Sequence, residues 1–119
     1  MRIVQDQVAK MKTIEVPFSI FQSEDAFHEA FAEIMRFPGF YGRNWDAWID
    51  CMSYLDDPAA GMTQVSLKKN EQLEFKIIGY EFTEDLDRSE VFRDFCICAG
   101  FVNSRFGEWQ SETRLIISN

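Results

Sequence analysis

The apolar residues of this chain change period as it proceeds, and that alternation restricts the folds open to it. From Lys12 to Phe18, Ile14, Val16 and Phe18 alternate with Thr13, Glu15 and Pro17. This is the period of a strand, with a proline suited to an edge or a strand end. Ser23, Glu24 and Asp25 then offer a helix cap and acidic first-turn residues, and Phe27, Ala30, Phe31 and Ile34 recur at helical spacing. A helix is predicted over residues 24–36, stopped by Pro38 and Gly39.

After the aromatic turn Phe40-Tyr41-Gly42, Asn44 is placed to cap a second helix over residues 44–55. Trp45, Trp48, Ile49, Met52 and Leu55 form its apolar face, and Asp56-Asp57-Pro58 ends it. Val65 and Leu67, then Leu73, Phe75 and Ile77, alternate on either side of the polar run from Lys68 to Glu71, the pattern of a β-hairpin. Asp87-x-x-Glu90 resembles a capping box, and Phe92, Phe95, Cys96, Ala99 and Val102 or Asn103 continue as a stripe. A third helix is predicted over 87–104. Thr113 to Ile117 is a short β-branched run suited to a buried last strand. The order β, α, α, β(β), α, β predicts an α/β fold in which helical crossovers join parallel strands. Residues 12–119 are expected to form a single domain, preceded by residues 1–11 as an arm or an extra strand.

Composition narrows the function. Twelve Phe and three Trp within 46% apolar residues supply a core that a disordered acidic chain lacks. Twelve basic and 20 acidic side chains leave a formal charge of -8, which repels nucleic acid and anionic membrane and attracts basic partners. Direct nucleic-acid binding is therefore not expected. The segment from Met1 to Lys12 has no apolar stretch of the signal-peptide kind, and no run has the length of a membrane helix, so a cytoplasmic protein is expected. Cys51, Cys96 and Cys98 form no CxxC pair and have no histidine-rich partner set. Reduced core thiols are predicted, with no metal and no cofactor.

Along the second helix, Asp46, Asp50, Ser53 and Asp57 fall within about 60° of one another at about 100° per residue, opposite the apolar stripe. Like charges at this spacing cost a few tenths of a kcal/mol each, so the face is not arranged for helix stability. A solvated outer face is the plain explanation of such a pattern. Asp46 and Asp50 as a general acid and base would need a cleft, which an exposed helix face does not offer, so no enzyme is expected. No Asp-x-Asp-x-Asp-Gly loop suggests calcium. His28 follows Phe27 and is expected on the polar surface, whereas Trp45 and Trp48 are expected in the core. Tyr41, Phe106 and Trp109 are candidate interface anchors.

The longer string Phe40-Tyr41-Gly42-Arg43-Asn44-Trp45-Asp46-Ala47-Trp48-Ile49-Asp50 resembles the central Tyr-Gly-x-Asn-x-Asp-Ala-(apolar)-x-Asp segment of the barstar family. The resemblance implies a small three-stranded parallel core sheet packed against helices, here with an added hairpin. It also implies an intracellular immunity protein, monomeric when free, that binds a basic ribonuclease or a related basic toxin. In that family the second motif aspartate takes the place of a substrate phosphate, which assigns this role to Asp50 and the second carboxylate to Asp46. Phe40, Tyr41, Gly42, Arg43 and Asn44 then shape the contacting turn, Ser53 lies further along the helix, and Asp94 matches a further acidic contact. The chain departs from the family where Phe40 lacks a tyrosine hydroxyl and Arg43 puts a cation at an acidic position. Two segments, Asp57 to Leu73 and Gly100 to Gln110, are longer than the family pattern. The alternative is an acidic module for a different basic partner, such as a DNase, without ribonuclease inhibition.

Overall fold

The computed structural model describes residues 10–68 and 71–119. Three strands, β1 (Lys10–Pro17), β2 (Glu71–Ile78) and β3 (Arg114–Ser118), make one open sheet in the order β1-β2-β3. Both pairings are parallel, with Ile14 opposite Phe75 and Leu73 opposite Leu115. β1 begins two residues before the expected Lys12, and the rest of the proposed N-terminal arm, residues 1–9, lies outside the described residues.

The helices are α1 (Glu24–Met35), α2 (Trp45–Met52), α3 (Thr83–Arg88) and α4 (Glu90–Glu108). α1 starts where the Ser23 hydroxyl accepts from the Ala26 N–H at 3.0 Å. It ends where Arg36 turns left-handed (φ 53°), ahead of Pro38. The third predicted helix is two helices. Asp87 belongs to α3, and Ser89 caps α4, its Oγ accepting from the Phe92 N–H at 3.1 Å. α3 has its own start, where the Phe82 N–H donates to the Asp85 carboxylate. α4 then runs past residue 104 to Glu108.

The expected hairpin does not form. Val65 to Leu67 is irregular, and each edge of the central strand β2 is already taken by β1 or β3, leaving it no free edge for an antiparallel arm. The polar groups of this loop are satisfied elsewhere: the Leu67 N–H donates to the Leu55 carbonyl at 2.7 Å, and the Gln64 N–H to that of Met35 at 3.1 Å. Thr63 donates its hydroxyl to the Val65 carbonyl. Leu67 is a buried anchor beneath a loop. Residues 69 and 70, in the expected turn, lie outside the described residues.

One face of the sheet carries the core. Leu73, Phe75 and Ile77 of β2 point into it, with Val16 and Leu115 from the flanking strands. The other face is mixed, with Thr13, Glu15, Gln72, Glu74 and Lys76 beside Ile78 and Ile116, in place of the two covered apolar faces usual for a parallel sheet. Its centre is Glu74, whose carboxylate accepts hydroxyl bonds from Thr13 of β1 at 2.8 Å and Ser118 of β3 at 2.6 Å. The Ser118 bond, and then that of Thr13, hold this carboxyl below its ordinary range. At the outer edge of β3, the Asn103 amide donates to the Leu115 carbonyl (3.0 Å) and accepts from its N–H (2.7 Å). A side chain of α4 thus covers a strand edge that would otherwise invite pairing with another chain.

Phe95 of α4 is the centre of the core. Its ring lies 5.3 Å from Phe21, 5.6 Å from Phe27, 5.7 Å from Phe31, 5.6 Å from Trp48 and 5.7 Å from Phe75, centroid to centroid. Replacing it leaves a cavity among rigid rings that have little room to collapse inward. Phe95→Ala is expected to lower the unfolding free energy in urea by about 3–5 kcal/mol. Phe101→Ala, on the exposed side of the same helix, is expected to stay within about 0.5 kcal/mol. Equal losses at the two positions would contradict this account of the core.

Candidate protein-binding face

The turn before α2 is held by local bonds. The Tyr41 N–H donates to the Pro38 carbonyl at 2.9 Å, and the Tyr41 ring lies 4.6 Å from Phe37. Asn44, in an extended conformation, accepts the Ala47 N–H at 2.8 Å and donates to the Gly42 carbonyl at 3.3 Å. A Cβ on Gly42 would meet the Asn44 amide at 3.2 Å and the Ala47 Cβ at 3.5 Å, so close approach favours glycine there. The left-handed position is its neighbour Arg43, at φ 54°. Phe40 stands out from the turn with 75% of its surface exposed.

His28 explains why Tyr41 turns inward. Contrary to the surface position expected for it, His28 is 1% exposed, and its Nδ1 lies 2.5 Å from the Tyr41 hydroxyl. The Trp45 ring covers it at 4.9 Å, so the buried face of α1 is wide enough to take two consecutive residues, Phe27 and His28. Burial pushes the His28 pKa down, partly opposed by Asp25. Burial also raises the Tyr41 pKa, and hence the hydroxyl stays protonated.

α2 buries Trp48, Cys51 and Met52 and exposes Asp46 and Asp50. Asp46, in the first turn, complements the helix dipole. Two residues expected on this face do not lie there. Ser53 is fully buried, its hydroxyl donating to the Ile49 carbonyl at 2.6 Å. Asp57 lies beyond α2, at the start of a short 3-10 turn, Pro58–Ala60. Of the candidate anchors, Phe106 is in the core, while Trp109 is about half exposed and packs on Tyr54 at 5.7 Å.

Asp94 is half-buried on α4, one helical turn before Cys98. Burial first, and then Asp94, Asp46 and Glu24, raise the Cys98 pKa to about 11. The three carboxylates, from α4, α2 and α1, thus act on one thiol. Cys51 is likewise raised to about 11 by burial and then by Asp50. Cys51, Cys96 and Cys98 are free thiols, and burial makes their thiolates unfavourable.

The structure adds Arg105 to this face. Its Nη1 donates to Asp50 Oδ1 at 2.7 Å and lies 3.5 Å from the Ser53 hydroxyl. The signal for it was weak in the sequence, because the apolar stripe thins after Val102 and Gly107 interrupts the helical pattern beyond Asn103. Phe106 at helical spacing from Val102 was the available clue that the helix continues.

A capped, exposed acidic helix after an aromatic turn, set on an open parallel sheet, agrees with a family model described as Barstar (barnase inhibitor), which matches residues 11–92. The chain belongs to the barstar family. A comparison with curated proteins found no match. This barstar-family match takes in the turn, α2 and the first turn of α4, and ends before Asp94 and Arg105. Among the described residues no helix is long and apolar enough to cross a membrane.

The buried His28–Tyr41 pair carries a pH dependence whose sign follows from the depressed His28 pKa. The unfolded histidine binds a proton near its ordinary value of 6.5, and the folded one only at lower pH. The stability from neutral His28 is therefore complete above that value and declines as pH falls below it towards the folded pKa. Denaturant midpoints between pH 7 and 5 are expected to fall for the parent and to stay flatter for His28→Gln. Parallel pH profiles would rule the pair out as the source.

Proposed function

We propose that this protein is an intracellular, cytoplasmic inhibitor, monomeric when free, that binds a basic ribonuclease and covers its active site. Asp50 stands in for a substrate phosphate, with Asp46 beside it. The observation that carries this is the exposed Asp46–Asp50 face of α2, held by the Asn44 cap next to the protruding Phe40. A nuclease pocket built to hold phosphate accepts a carboxylate through charge-assisted hydrogen bonds. A carboxylate already fixed on a helix costs little further ordering when it binds. Asp94 extends the same field from α4, and Phe40, Tyr41, Gly42, Arg43 and Asn44 form the contacting turn. The protein performs no catalysis of its own, because its paired carboxylates lie on an open face. The family description names barnase as the enzyme inhibited, which makes barnase the first enzyme to assay.

A second partner class is favoured by one feature. Arg43 places a cation on the turn next to Phe40, which has no hydroxyl to offer. Both suit a different basic protein, such as a DNase, and recovery of such an enzyme in place of a ribonuclease would support that alternative.

Asp50→Ala removes one exposed ion pair, so the fold is expected to lose no more than about 1 kcal/mol. Affinity for the ribonuclease is expected to fall far more, by about 2–5 kcal/mol, because the partner's cationic pocket is left buried and unpaired. This corresponds to roughly 30-fold to several-thousand-fold weaker inhibition. Asp57→Ala, outside the proposed face, is expected to inhibit like the parent. Association should also slow as added salt shortens the Debye length below about 10 Å. Inhibition unchanged by Asp50→Ala would remove the phosphate-mimic assignment.

A further inference from the structure

The contact carboxylate is already occupied in the free protein. Arg105 Nη1 holds Asp50 Oδ1 at 2.7 Å, with the arginine side chain 40% and the aspartate 58% exposed. Arg105 lies on the last turns of α4, outside the matched residues 11–92, in the stretch longer than the family pattern. The end of α4 has other anchors besides this contact. Phe106 is buried in the core, the Ser111 hydroxyl donates to Asp56 at 2.5 Å, and Trp109 packs on Tyr54.

We propose that Arg105 is a specificity-determining gate on the binding face, an internal guanidinium that an incoming cation must displace from Asp50. The proposal rests on the assignment of Asp50 as the contact carboxylate. A partner guanidinium that binds a carboxylate with both of its N–H groups needs both oxygens, and Arg105 holds one of them. A single loose cation gains little by exchanging one exposed pair for another. A phosphate-binding pocket, with several cations converging on one point, gains enough to displace it. Arg105 therefore suppresses attachment to scattered basic residues, to which a chain of charge -8 is otherwise prone. The opposite role, in which Arg105 orders Asp50 for binding, has less to offer. An aspartate on a packed helix has few rotamers to lose, whereas the arginine adds a like charge against every basic partner.

The test titrates the intact, isotope-labelled protein with a hexa-arginine peptide at low salt, following backbone NMR shifts around Asp46 and Asp50. Arg105→Gln is expected to bind the peptide about three- to tenfold more tightly than the parent. Arg105→Lys, which keeps the cation, is expected to remain near the parent. Lys76→Gln changes the net charge equally but lies on the outer face of β2, away from the helices, and is expected to gain little. If Arg105→Gln binds no more tightly than Lys76→Gln, or more weakly than the parent, the gate is overturned. Barnase inhibition by the same proteins is measured separately. Its absence from parent and variants alike would strike the ribonuclease proposal, while the peptide comparison still decides the role of Arg105.

Discussion

Five rings from four other segments meet on Phe95, and the outward direction of the acidic face follows from that contact. α2 has only eight residues, too few to be a stable helix alone in water. It is helical because Asn44 caps it and because Trp48 is seated against Phe95 and Phe31. With Trp48 fixed inward, the helical turn carries Asp46 and Asp50 to the solvent side. Core packing and placement of the carboxylates are two consequences of one docking event, which is why a helix this short can present charged groups in a defined geometry.

The parts of this arrangement that were legible in the sequence are those in which local pattern and tertiary packing agree. β1, α1, α2 and the caps at Ser23 and Asn44 follow from periodicity and side-chain chemistry within a few residues. The misleading parts are those in which a distant contact decides the outcome. Val65 and Leu67 alternate like a strand, but β2 has no free edge to receive them. Ser53 falls on the polar side of a helical wheel, yet the loop after α2 and the end of α4 close over it. His28 is polar by type and buried by Tyr41 and Trp45, and a single histidine carries no local mark of such a partner. Asp87 and Ser89 are both suitable caps, and the bend between α3 and α4, set by packing, selects the second. Within the candidate face, the motif from Phe40 to Asp50 was legible and its ion pair was not, because Arg105 is 55 residues further along the chain.

The pair also answers an electrostatic difficulty in α2. Asp46 is in the first turn, where the helix dipole favours a carboxylate, but Asp50 is in the last turn, where the dipole opposes it. Arg105 supplies the compensating cation and is itself in the last turn of α4, where a positive charge is favoured. One guanidinium therefore complements the C-terminal end of its own helix and offsets an unfavourable carboxylate on the neighbouring one. Because both side chains remain substantially exposed, the pair is weak enough to be exchanged for a better one.

The turn ahead of α2 shows the same division between fixed and available groups. Arg43 in a left-handed conformation carries a strain of the order of 1 kcal/mol. Neighbouring bonds offset it: Tyr41 to His28 and to the Pro38 carbonyl, and Asn44 to Ala47 and Gly42. Tyr41 is turned inward by those contacts, so the adjacent Phe40 is left pointing out with no polar group of its own to satisfy. Covering such a ring with another surface removes apolar area from water, which favours association. The exposed phenylalanine and the paired aspartate thus stand at opposite ends of one hydrogen-bonded segment, and on the proposed reading the first would supply apolar area to a partner while the second would select one whose cations converge.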